Sequence, residues 1–180
     1  MDDVTLYIFA VKVLGWGGHL ALAATSPNWE GQKVLHWGPV VAKSYDETPK
    51  GWGPTSAGLP GDTNDYLAPW RDNDGNYLAL TNPYAGLAWQ GEVSFETWEQ
   101  INRWSLALED AAVPYDPFGW GGYNSNSAIA YVATHHLGLE RSAVDFSAFE
   151  PWQPLGVDLG RWFPGWNADM PVLPDYCPIR

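Results

Sequence analysis

Apolar residues dominate both sides of the opening segment. Val4, Leu6, Ile8 and Ala10 fall on one face of an extended backbone, and Tyr7, Phe9, Val11 and Val13 on the other. A strand with one wet face would alternate with polar residues, so this pattern predicts a central strand covered on both sides. Gly15-Trp16-Gly17-Gly18 breaks the run. His19 to Ala24 predicts a second strand, Thr25 to Gly31 is turn material, and Lys33 to Gly38 returns as a third, extendable through Val40-Val41-Ala42. Together they form a hairpin with a loop of about five to seven residues.

The next stretch changes character. Residues 46–76 are rich in Gly, Pro, Asp and Asn, and predict a long loop that is functional or wrapped over the core. Asp72-Asn73-Asp74-Gly75-Asn76 resembles the start of a calcium loop. Its twelfth position is Pro83, where that loop needs a bidentate Glu, so a turn is expected, with Tyr77 to Leu80 as a short strand. Ser94 then caps a helix with Glu96 in its first turn. Phe95, Trp98, Ile101, Leu106 and Leu108 supply an apolar stripe as far as Ala112, and Pro114 ends it. A rigid-then-flexible loop, Tyr115 to Gly122, leads into a second helix from about Asn126 to Leu137. Ile129, Val132, Ala133 and Leu137 share a face, and Gly138 is the stop. From Ser147 onward, six prolines predict an extended tail packed through Trp152, Trp162 and Trp166.

The fold class is therefore α+β: an antiparallel sheet against two main helices, with long Pro/Gly/Trp-rich loops. The 180 residues fit a single domain: strands with a His hairpin (1–45), long loops and short strands (46–92), two helices (93–140) and the tail (141–180). A domain of this size buries roughly 70% of its unfolded surface and needs no staple. Cys177 is the only cysteine, which excludes an internal disulfide and a cysteine-built zinc site; no metal and no cofactor is expected. Nine Lys and Arg against 21 Asp and Glu give a net charge of −12, a field that repels nucleic-acid phosphates and anionic membranes. No apolar run approaches the ~20 residues of a membrane span. Met1-Asp2-Asp3 lacks the positive region of a secretory leader, which implies a cytoplasmic protein or one exported by a non-Sec route.

Candidate chemistry gathers at two places. Tyr123-Asn124-Ser125-Asn126-Ser127 stands where a Gly-rich loop enters a helix. First-turn N–H groups there can be capped by Ser or Asn side chains, or can hold an oxyanion beside a nucleophile; both uses call for small polar residues. His19 follows a Gly-Gly bend, and His36 ends the partner strand, at a spacing compatible with facing positions across the hairpin. One imidazole beside another can be held in a single tautomer and act as a base. His135 and His136 are adjacent on a helix, ~100° apart, and cannot chelate one metal together.

This order of elements resembles the circularly permuted papain-like hydrolases, the group that includes the lecithin:retinol acyltransferase-like and NlpC-type enzymes. Gly18-His19-Leu20-Ala21-Leu22 is similar to the group's Gly-His-apolar strand, and Tyr123 to Ala128 to its Asn-Cys segment, with Ser125 in the Cys position. Asn124 to Ser127 followed by Pro164-Gly165-Trp166 is also similar to a pairing in bacterial proteins attached to larger secreted or toxin-like chains.

The resemblance implies a permuted papain-like fold and a hydrolase or acyltransferase acting on an amide or ester, as a bacterial effector or toxin-like domain. A serine hydroxyl is a weaker acid than a thiol and needs a general base in hydrogen-bond contact, the role implied for His19, oriented by His36. Ser127 is the second candidate nucleophile; Asn124 and Asn126 would fix the loop or donate to the oxyanion; Trp16, Trp120 and Tyr123 would contact the small-molecule, peptide or glycan substrate. The alternative is a binding module for glycan or peptide that has lost its nucleophile and uses exposed Trp residues.

Overall fold

The opening segment forms an interior strand. The computed structural model describes residues 3–13, 17–41, 65–72, 85–111, 113–115, 123–147, 163, 165–171 and 173. In it β1 (Asp3–Val13), β2 (Gly17–Thr25), β3 (Lys33–Val41), β4 (Asp65–Asp72) and β5 (Ala85–Ser94) make one sheet in the order β4-β3-β2-β1-β5. All neighbours are antiparallel. β1 therefore has a partner on each side. Its Val4, Leu6, Ile8 and Ala10 are fully buried, and on the other face Phe9 is buried with Tyr7 packed beside it.

Two helices cover the first face: α1 (Phe95–Asp110) and α2 (Ser125–Tyr131), the latter continued by a π-helical turn over Val132–His136. The main core joins Leu6 and Ile8 of β1, Leu20 and Leu22 of β2, and Leu35 and Trp37 of β3 to side chains of both helices. The architecture is thus α+β, an antiparallel sheet with two helices. No helix among the described residues is long and apolar enough to cross a membrane.

Several expectations need correction. β2 begins at Gly17, so two glycines read as a break belong to the strand. β4 lies inside the segment read as a long loop. It holds Pro69, which suits a strand at the edge of the sheet, where one side of its backbone has no ladder among the described residues. β5 is a ten-residue strand where only loops and short strands were expected. Its pairing with β1 jumps from Ile8↔Trp89 to Phe9↔Leu87, leaving Ala88 as the extra residue of a β-bulge. The Ala88 carbonyl, outside that ladder, accepts the Asp145 N–H at 2.8 Å.

In α1 the cap is Ser94, which accepts from the Thr97 N–H, but the buried stripe differs from the expected one. Trp98, Ile101, Trp104, Ser105 and Leu108 face the sheet, whereas Phe95 and Leu106 are 42% and 47% exposed. Five residues of an α-helix turn through about 500°, which carries Leu106 some 140° from the line of Ile101. The second helix ends before Gly138 as anticipated, with its last turn π-wound: the Leu137 N–H donates to the Val132 carbonyl. A short 3₁₀ turn at Arg141–Ala143 had no expectation attached. The turn at 72–83, the strand at Tyr77–Leu80, Trp152, Trp162 and Cys177 fall outside the described residues, apart from the backbone of Asp72.

Trp104 is the centre of the helix packing. It is fully buried, stacks on Tyr131 at 4.7 Å between ring centroids, and meets Trp37 at 5.8 Å. Trp104→Ala is expected to cost about 3–5 kcal/mol in urea denaturation, against about 0.5 kcal/mol or less for the exposed Leu106→Ala. Equal losses from the two would contradict this placement of the stripe.

Candidate functional site

The site is built where α2 begins. Asn124, in extended conformation, caps the helix: its Oδ1 accepts from the N–H groups of Asn126 (2.9 Å) and Ser127 (3.3 Å). Ser127 Oγ in turn accepts from the Asn124 N–H at 3.4 Å, which closes a capping box. Ser127 is 0% exposed, so no substrate reaches its hydroxyl without moving the cap. The two side chains are joined to each other and to the helix backbone. They act as helix caps.

Ser125 is the first residue of the helix proper. Its Oγ lies 2.7 Å from Nδ1 of His19 on β2, 106 residues away in the chain. Burial pushes the His19 imidazole down to about 3, because an imidazolium would lose its hydration, and the neighbouring His36 ring adds to the shift. At neutral pH His19 is therefore uncharged. With the ring proton on Nε2, Nδ1 accepts a hydrogen bond from the Ser125 hydroxyl.

His36 meets His19 edge to face, with ring centroids 5.5 Å apart. The two are not directly opposite. β2 pairs with β3 over Leu22↔Leu35, Ala23↔Val34 and Ala24↔Lys33. Continuing that register sets His36 against Ala21, with His19 as its diagonal neighbour on the same face, within reach of an aromatic ring.

Asn126 links the helix to β2. Its Oδ1 accepts from the Leu20 N–H at 2.9 Å and its Nδ2 donates to the Gly18 carbonyl at 3.0 Å. A carboxamide making these two bonds stands where a neighbouring strand's peptide group would stand.

A turn from the tail closes the other side. A Cβ on Gly18 would fall 2.0 Å from Cε1 of Phe163, so the ring lies directly on that glycine. Gly165 has φ +84°, and a Cβ there would come within 2.5 Å of Asn124 Oδ1 and 2.6 Å of Ser127 Oγ. Arg141 secures this turn, pairing with Asp169 and donating to the carbonyls of Asn167 and Ala168. The roles of Phe163 and Arg141 had no sequence signal, and the turn corrects the expectation of an extended tail here: the Trp166 and Ala168 N–H groups donate to the carbonyls of Phe163 and Gly165.

The remaining candidates are less central. Tyr123 is partly buried, bridges to Tyr115 and donates its N–H to the Pro114 carbonyl. Trp16 and Trp120 lie outside the described residues. A binding module would use exposed tryptophans, but Trp29 and Trp166 are partly buried against the core. His135 stacks on Tyr131, while His136 sits near Trp104, and burial pushes the latter imidazole down to about 4. No group of His, Cys, Asp or Glu among the described residues is placed to hold a metal ion.

No protein-family model matches this chain, and no curated protein and no solved structure shows significant similarity to it.

Two predictions follow from the buried groups and the tail turn. His19 and His136 are neutral in the fold but protonate in the unfolded chain below about 6.5, so both contribute stability that is lost as pH falls from that value toward about 4 and 3. His136→Gln should flatten the decline between pH 7 and 5 in chemical denaturation; an unchanged slope would show that its burial does not set its charge. Gly165→Ala should destabilise by about 1–3 kcal/mol from backbone strain alone, with wild-type stability as the contrary result.

Proposed function

We propose that the protein is a serine-dependent hydrolase or acyltransferase acting on an amide or ester bond, with Ser125 as nucleophile and His19 as general base. The observation that carries this reading is the 2.7 Å contact between Ser125 Oγ and His19 Nδ1, made by residues with no local reason to meet. The order of the parts supports it: a histidine on an early strand and a nucleophile at the start of a later helix agree with a permuted papain-like scaffold.

In the reaction Ser125 Oγ attacks the carbonyl carbon while its proton passes to His19 Nδ1. The tetrahedral intermediate collapses with cleavage of the carbon–nitrogen or carbon–oxygen bond, and the leaving group takes that proton from Nδ1. Water, or an acceptor alcohol or amine, then gives its own proton to Nδ1 as it attacks the acyl-enzyme. Ser125 Oγ departs and regains the proton. The developing oxyanion has a donor beside it: the N–H groups of Asn126 and Ser127 are held by the cap, whereas that of Ser125 has no bond among the described residues.

Burial has a double effect on the base. It keeps His19 deprotonated across the neutral range, and it makes the imidazolium costly, so the ring is a weaker base than an exposed imidazole and depends on the negative charge that forms beside it in the reaction. His36 holds the ring from its edge.

A fluorophosphonate probe tests this without knowledge of the substrate: Oγ bonds to phosphorus, fluoride leaves, and the proton goes to His19. Mass spectrometry should find the adduct on Ser125, absent in Ser125→Ala and retained in Ser127→Ala, with His19→Gln labelled about 10²–10⁴-fold more slowly. Absence of an adduct on Ser125, or a wild-type rate in His19→Gln, rejects the mechanism.

A further inference from the structure

Asn126 is 2% exposed, and its carboxamide makes two long-range bonds to one short piece of β2. The acceptor and donor are spent on the residues immediately before and after His19: the Gly18 carbonyl and the Leu20 N–H. The residue immediately before Asn126 is Ser125. Base and nucleophile are thus each one covalent step from a group in a single two-bond clamp.

Neither rigid element alone would set the distance between them. β2 is held to β1 over Gly17 to Thr25, but its ladder with β3 covers Leu22 to Ala24, short of His19. α2 is capped through Asn124 and Ser127, which fixes the helix start but not its separation from the strand. The clamp supplies that separation. It also fixes the amide orientation, since only Oδ1 can accept from Leu20 and only Nδ2 can donate to Gly18. Oδ1 is then 3.4 Å from Ser125 Oγ, longer than the 2.7 Å to His19, so the hydroxyl hydrogen is left to the imidazole.

From this geometry we infer that Asn126 is a positioning residue, holding Ser125 Oγ in hydrogen-bond contact with His19 Nδ1 through the backbone on either side of the histidine. The inference deepens the serine-hydrolase reading and rests on it for its catalytic meaning; the geometric part stands independently. A donor to the oxyanion is a different role, which would use the second hydrogen of Nδ2 beside the one given to Gly18.

Two variants of the full chain test the clamp. Asn126→Ala removes both bonds. Asn126→Asp keeps the shape and the Leu20 acceptor, but as a carboxylate it faces the Gly18 carbonyl with no hydrogen to donate. A misplacement near 1 Å costs about 10²-fold in rate. The fluorophosphonate reaction of Asn126→Ala is therefore expected to slow about 10²-fold while still labelling every folded molecule. A purely structural role would instead lower the labelled fraction and leave the rate constant of the folded remainder unchanged, which overturns the inference. In Asn126→Asp the rate should fall with rising pH as the carboxyl ionises, whereas wild type, with His19 already neutral, shows no such fall; parallel profiles would also overturn it.

A readout without chemistry separates this inference from the hydrolase reading. Nitrogen NMR of the His19 ring reports the bond at Nδ1, and folded Asn126→Ala should lose that signature whether or not wild type reacts with the probe. An unreactive wild type with a perturbed variant ring would reject the hydrolase and keep the clamp. A ring signal identical in wild type and the folded variant would reject the clamp itself.

Discussion

The arrangement depends on a meeting between two parts of the chain that are more than a hundred residues apart. α2 is only two turns long before its winding changes, and an isolated helix of that length does not persist in water. It is held by packing: Ala128, Ile129, Val132 and Ala133 enter the core formed by β1, β2 and β3. That apolar contact brings the helix start against β2. The polar contacts of Asn126 then replace water that both partners lose on burial, which is why a buried carboxamide is tolerable there: each of its bonds removes an otherwise unsatisfied group.

Polarity at this helix start is divided among four neighbouring residues with separate tasks. Asn124 and Ser127 serve the helix backbone, Asn126 serves the strand, and Ser125 alone turns its hydroxyl to an imidazole. The tail turn adds a boundary on the far side, where Phe163 covers Gly18 and Gly165 leaves room for Asn124 and Ser127. Glycine at these two positions is a consequence of crowding. The turn lies on the cap and on the histidine strand at once, so helix start, strand and tail form one packed unit.

How much of this was legible follows from the range of the forces involved. The strand of His19, its partner carrying His36, the cap at Ser94 and the small polar run at 124–127 are local patterns, and each appears where periodicity and capping chemistry set it. β4 and β5 were hidden for a physical reason. Pro69, Gly86 and Gly91 lower local strand preference, and their pairing with β3 and β1 comes from distant chain. The α1 stripe was misjudged because Leu106 is apolar but faces solvent, while Trp104 and Ser105 carry the buried line. Asn126 could be read as a cap or a donor; that its amide spans Gly18 and Leu20 is a tertiary fact with no trace in local spacing.

The position of Pro69 bears on how the molecule meets its own copies. Among the described residues β4 is the outermost strand on its side of the sheet, and an outermost strand is a template on which a second chain can lengthen the sheet. Proline has no N–H, so the backbone of β4 lacks a donor midway along its length. Proline is one of the residues by which edge strands resist continuous pairing with further chains.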